Sequence, residues 1–161
     1  MNEKKIDIID YIVALVYVGV GGFIWLAYKY SFLPQDQING IMAITFIGPI
    51  SLFLMYYKRF RIMSVTLLWL CIGILQLISV YQLKDNPDFK AVNGTYADNY
   101  LNLLLMVVLI TLFRIISLVT TRQEFVVAAW FSPKDNRKLN VLDYILSFIG
   151  FLTLTIGVTL K

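Results

Sequence analysis

Histidine is absent from this 161-residue chain. Its absence removes imidazole acid–base catalysis, the usual zinc and di-iron ligand sets and histidine-ligated haem. Cysteine occurs once, as Cys71 within an apolar run, so an intrachain disulfide is excluded. The sequence offers no nucleophile–base pair, no glycine-rich phosphate loop and no metal-ligand spacing, and accordingly no catalytic, cofactor or metal site is expected. Charge is scarce as well: 15% of residues are Asp, Glu, Lys or Arg, against 59% hydrophobic. The net charge of +4 is spread in short clusters beside apolar spans, with no basic, aromatic-interleaved stretch, which argues against a nucleic-acid partner.

What remains is a membrane composition, with a mean hydropathy of +0.74. Five uncharged or nearly uncharged runs, Tyr11–Tyr28, Gln37–Tyr57, Ile62–Leu83, Asn99–Thr121 (interrupted only by Arg114) and Tyr144–Leu160, are bounded directly by charges. Each comes close to the length a helix needs to cross about 30 Å of hydrocarbon. The expected fold is therefore all-α: a single polytopic integral membrane domain, a five-helix transmembrane bundle spanning about 8–29, 38–57, 62–83, 99–121 and 140–160. The first run exceeds a signal-peptide core and lacks a small-residue cleavage site, so it is expected to be retained. Gly48-Pro49 predicts a kink in the second helix. Gly19, Gly21 and Gly22 form a smooth patch expected to permit close helix approach, and Gln76 and Asn102 lie at comparable depth for an interhelical hydrogen bond.

Orientation follows from the basic residues. With the N-terminus inside, nine (Lys4, Lys5, Lys58, Arg59, Arg61, Arg122, Lys134, Arg137, Lys138) fall on the cytoplasmic side and four (Lys29, Lys84, Lys90, Lys161) on the other. The expectation is N-inside and C-outside, in a bacterial cytoplasmic (inner) membrane. Between the fourth and fifth runs, Phe125 to Phe131 is an apolar stretch too short to span, read as a short cytoplasmic interfacial helix over about 123–131 with Trp130 and Phe131 at headgroup depth.

One phrase occurs twice. KKIDIIDYI, Lys4 to Ile12, returns as RKLNVLDYI, Arg137 to Ile145. Under this topology both copies cross the same boundary in the same direction, with Asp10 and Asp143 in first helical turns facing the positive end of the helix dipole. Arg114, about two turns from the cytoplasmic end of its helix, is the one charge well inside a span and needs a partner. The carboxylates of similar depth are Asp10 and Asp143, so Asp10, Arg114 and Asp143 are expected to form an intramembrane charge cluster.

With no catalytic constellation, the expected function is non-enzymatic: association, as an accessory, assembly or immunity-type subunit of a membrane complex. The alternative is a small oligomeric channel, pore-forming effector or transporter, for which one chain offers few polar residues along a path. The expected partners are anionic lipids on the cytoplasmic side and either another protein or further copies of this chain. Lys58, Arg59, Arg61, Trp130 and Phe131 are the candidate contacts.

Overall fold

Helix α1 (Ile8–Tyr30) begins at Asp7, whose extended backbone and side-chain oxygen cap the first turn while Asp10 reaches back to the Asp7 amide. This reciprocal capping box satisfies two of the donors that every helix start leaves unpaired. The computed structural model describes residues 6–91, 94–130, 132, 135 and 137–156. Among these the chain is all-helical apart from loops and one isolated bridge between Lys90 and Thr95.

The second apolar run does not form one continuous helix. Helix α2 (Gln35–Ile44) stops, and α3 (Ile47–Ser51) starts after Thr45 and Phe46. The break lies just before the expected Gly48-Pro49 kink for a physical reason. Pro49 has no N–H, and its ring crowds the carbonyl four residues earlier, that of Thr45. That carbonyl instead accepts from the Gly48 amide at 3.2 Å, a tighter three-residue closure. Pro49 itself sits in the first turn of α3, where a missing N–H costs no helical bond. Beyond Ser51 the helix widens to π geometry over Leu52–Tyr56 and tightens to 3-10 over Tyr57–Arg61. These changes of pitch aim Arg59 and Arg61 toward different neighbours.

Helix α4 (Met63–Leu83) runs back, a loop with 3-10 turns at Pro87–Phe89 and Tyr96–Tyr100 follows, and α5 (Leu101–Thr121) returns. Four segments, Ile8–Tyr30, Gln35–Arg61, Met63–Leu83 and Tyr96–Thr121, are long and apolar enough to cross a membrane. The fifth, α6 (Val141–Ile156), has 16 described residues. At 1.5 Å per residue they cover about 24 Å, short of the hydrocarbon thickness.

Two cores hold the bundle, one toward each end. The larger is aromatic, built from Phe53, Tyr57, Phe60, Trp69, Phe113 and Phe125. The smaller joins Ile24, Ala27, Ile38, Met42, Val80 and Phe89. At this second end the Asn39 amide donates to the Asp88 carbonyl at 3.1 Å and the Asn99 amide to the Met42 carbonyl at 3.1 Å. Glycines mark the tightest helix contacts. A Cβ on Gly73 would lie 3.2 Å from the Leu104 backbone, and one on Gly150 would lie 2.5 Å from the Phe53 ring. The expected patch at Gly19, Gly21 and Gly22 plays no such part, since a Cβ at any of the three meets nothing within 4 Å. Helix α1 touches the bundle through Asp10 and Ala14 at one end, through Tyr17, whose ring centroid lies 5.5 Å from that of Trp69, nearer its middle, and through Ile24 and Ala27 at the other end.

The segment after α5 corrects the interfacial-helix expectation. Arg122 takes a left-handed conformation (φ 54°) that ends α5, and residues 123–130 form no helix. Phe125, Val126 and Val127 are at most 3% exposed. The segment lies inside the bundle, where a buried Phe or Val contributes about 1.5–3 kcal/mol relative to exposure. Phe131 lies outside the described residues.

Candidate functional site

A non-helical segment of backbone buried among helices must find hydrogen-bond partners without a sheet, because each buried unpaired group costs about 1–3 kcal/mol. Side chains from four directions supply them here. The Ser117 hydroxyl donates to the Gln123 carbonyl at 2.9 Å, and the Arg137 guanidinium donates twice to the Glu124 carbonyl, at 2.7 and 3.2 Å. Arg61 donates to the Phe125 carbonyl at 2.9 Å. The Val126 amide donates to an Asp143 oxygen at 3.2 Å, and the Ala128 amide to the Ser147 hydroxyl at 2.8 Å. The Ser132 hydroxyl closes the series on the Val127 carbonyl at 2.7 Å. The Phe125 ring packs on Phe113, Tyr57 and Phe53, with centroids 5.5, 6.4 and 6.5 Å away.

The repeated phrase now has a structural meaning. In the second copy the Asn140 side chain accepts from the Asp143 amide at 2.8 Å and the Asp143 carboxylate accepts from the Asn140 amide at 3.0 Å. Asp-x-x-Asp at Asp7–Asp10 and Asn-x-x-Asp at Asn140–Asp143 are therefore the same capping box written twice. The aspartate three residues into each box, Asp10 and Asp143, is fully buried, at 0% exposure. Each then takes a guanidinium fork from outside its own helix. Arg137 holds both Asp143 oxygens at 2.7 Å. Arg59 holds both Asp10 oxygens, and the Tyr56 hydroxyl donates to the same carboxylate.

The expected cluster of Asp10, Arg114 and Asp143 does not form. Arg114 pairs instead with Glu124, in a fork at 2.8 and 2.9 Å, because the chain turns back at Arg122 and lays Glu124 against the end of α5 that it has just left. Asp10 and Asp143 are already saturated by nearer arginines. A fourth pair joins Arg61 to Asp135 at 2.6 Å. Of the five residues expected to contact a partner or lipid, Arg59 and Arg61 are thus occupied within the bundle, with side chains 31% and 23% exposed. Lys58 also has an interaction of its own. Their charge is spent in ion pairs because a carboxylate buried without a cation costs more than a surface cation gains from lipid.

Gln76 and Asn102 do not bond to one another either. The close approach of Gly73 to Leu104 sets an antiparallel register that places Gln76 opposite Leu101, one position out of step with Asn102. Gln76 Oε1 and both Asn102 amide atoms have no partner among the described residues.

Trp130 differs from everything around it. Its neighbours at 125–127 are buried, while it is 98% exposed at the end of the clamped segment. Sequence reasoning chose Trp130 but missed Glu124, Arg137 and Ser147, although Asp-x-x-Asp and Asn-x-x-Asp ahead of apolar runs were readable as capping boxes. Chemically the site is a clasp: guanidiniums pair with Asp10 and Asp143, the two buried carboxylates among the described residues, and help hold a non-helical segment beneath one projecting indole. Comparisons with protein-family models, curated proteins and solved structures give no match to this chain.

Proposed function

We propose that the protein is a non-enzymatic integral membrane protein that works by association, as an accessory, assembly or immunity-type subunit. The observation that carries this reading is Trp130, almost fully exposed at the tip of a segment whose backbone is fixed by six side-chain hydrogen-bonding groups. An aromatic side chain presented on a rigid base loses little freedom when a partner buries it, and such residues dominate contact energies. The paired state of Arg59, Arg61, Arg114 and Arg137 disfavours the channel alternative, since few charged groups are left to line a path.

The proposed placement is a bacterial cytoplasmic membrane, N-terminus inside and C-terminus outside, with α6 and the residues after it as a fifth span. It rests on the basic residues gathered at the clasp end. Anionic headgroups would meet the partly exposed faces of the paired arginines there. A reporter fused after Lys161 should be active outside the cytoplasm, and cytoplasmic fluorescence without outside activity would contradict the topology. Replacing Trp130 by Ala should release a protein partner and leave the bundle folded. Ion conductance by the purified protein alone in liposomes would contradict the association reading.

A further inference from the structure

The segment that carries Trp130 turns back into the bundle as soon as α5 has left it. After the reversal at Arg122 the Gln123 carbonyl meets Ser117 and the Glu124 carboxylate meets Arg114, so the chain retraces the last two turns of α5. It then follows α6 in the same direction, with the Val126 amide on Asp143 and the Ala128 amide on Ser147. Trp130 lies in the turn that comes next, which the Ser132 amide closes on the Ala129 carbonyl at 3.1 Å. Asp135 and Arg137 are back at the helix starts, held by Arg61 ahead of α4 and by Asp143 in the first turn of α6.

Depth follows from this register. At 1.5 Å per residue Ser147 lies about 9 Å along α6 from Val141, and Arg114 lies about 10 Å along α5 from Thr121. Ala128 therefore sits within the length of both helices. The outward faces of those helices are apolar around it: Ile115, Ile116, Val119, Ile145 and Phe148 are 42–79% exposed, and neither helix exposes a charged residue. Val119 and Val141, both at least 75% exposed, carry that apolar surface past the level of Ala128 to the clasp-side ends of the helices. Non-helical backbone survives at hydrocarbon depth only where protein groups satisfy it, which is what Ser117, Arg137, Arg61, Asp143 and Ser147 do here.

We propose that residues 123–130 form a re-entrant strap within the membrane layer, and that the partner meets Trp130 there as a transmembrane helix. The second half rests on the association reading. A soluble partner would have to push past the exposed apolar surface of α5 and α6 to reach the indole. At this depth the indole N–H, which bonds to nothing among the described residues, has no water to donate to. A helix carrying Ser, Thr, Asn or Gln at the contact brings an acceptor and an apolar surface for the ring in one element.

The test uses the full chain in its native membrane, opened by freeze–thaw so that reagent meets both sides. In a Cys71→Ala background, Trp130→Cys should react with a membrane-impermeant maleimide about tenfold or more slowly than Lys138→Cys, because the reacting thiolate needs water. Lys138 is exposed at the clasp end, and both variants should react alike once unfolded in SDS. Separately, benzoylphenylalanine in place of Trp130 should photo-cross-link to a second protein, with the joined peptide mapping by mass spectrometry to an apolar, membrane-spanning stretch. Equal labelling of the two cysteine variants in the membrane would overturn the strap and leave association standing. A cross-linked peptide from a soluble region would overturn the transmembrane partner, again without touching association. Slow labelling with adducts to lipid alone would overturn the partner and the association reading together.

Discussion

Asp10 and Asp143 occupy equivalent places. Each closes a capping box at the start of its helix, each is completely buried, and each is gripped by an arginine outside its own helix. The two differ in what else they hold. Asp10 ties α1 to the end of the α3 segment through Arg59 and Tyr56, whereas Asp143 ties α6 to the buried segment after α5 through Val126 and Arg137.

The first prediction follows from that difference. Asp143→Ala leaves the Arg137 guanidinium, the Val126 amide and the Asn140 amide without their acceptor. Removing one partner of a buried pair costs about 3–5 kcal/mol, and denaturant unfolding in detergent should register a loss in that range. Hydrogen exchange should accelerate at the Val126 and Ala128 amides. In Asp10→Ala those two amides should stay protected, because the lost contacts lie on α1 and the α3 segment.

Arg114 and Glu124 give the second prediction. Their side chains are 32% and 34% exposed, so water screens the pair and its worth is on the order of 0.2–1 kcal/mol. A double-mutant cycle of Arg114→Leu with Glu124→Gln should return a coupling of that size. The same cycle with Asp143→Asn should return a coupling indistinguishable from zero. A large Arg114–Asp143 coupling would show that the two share a partner the fold does not give them.

Glycine substitutions separate tight from open helix faces. Gly150→Ala drives a methyl into the rings of Phe53 and Phe113, which are locked in the aromatic core, and overpacking of this kind costs about 1–3 kcal/mol. Gly21→Ala meets open space and gains up to about 1 kcal/mol of helix propensity. Thermal melts in the same detergent should therefore move in opposite directions for the two variants.

Much of this architecture is legible in the sequence, and the parts that are not share a cause. Span positions follow from apolar runs between charges, and the break near Pro49 follows from proline's missing N–H, because both are local properties of the chain. The burial of Phe125, Val126 and Val127 is not local. Seven apolar residues in a row look the same whether they face headgroups, lipid or a protein core, and only the hydrogen-bond partners Arg61, Arg137 and Ser147, which lie elsewhere in the chain, decide it. Depth alone made Asp10 and Asp143 plausible partners for Arg114. The reversal at Arg122 brought Glu124 closer than either, and a left-handed arginine is not announced by its side chain. The repeated phrase was visible as a repeat, while its role as a capping box needed the Asp7 and Asn140 positions to be read together with the aspartates three residues later.

The central claim is association through a projecting indole on a rigid clasp. Its most direct test is the mass and stoichiometry of the complex extracted in mild detergent from its native membrane, for wild type and for Trp130→Ala. The association account predicts a heteromeric species of fixed stoichiometry for the wild type, reduced to the isolated chain in a Trp130→Ala protein that keeps its melting temperature. A wild-type chain that elutes alone, or only as a homo-oligomer unaffected by the substitution, would contradict it.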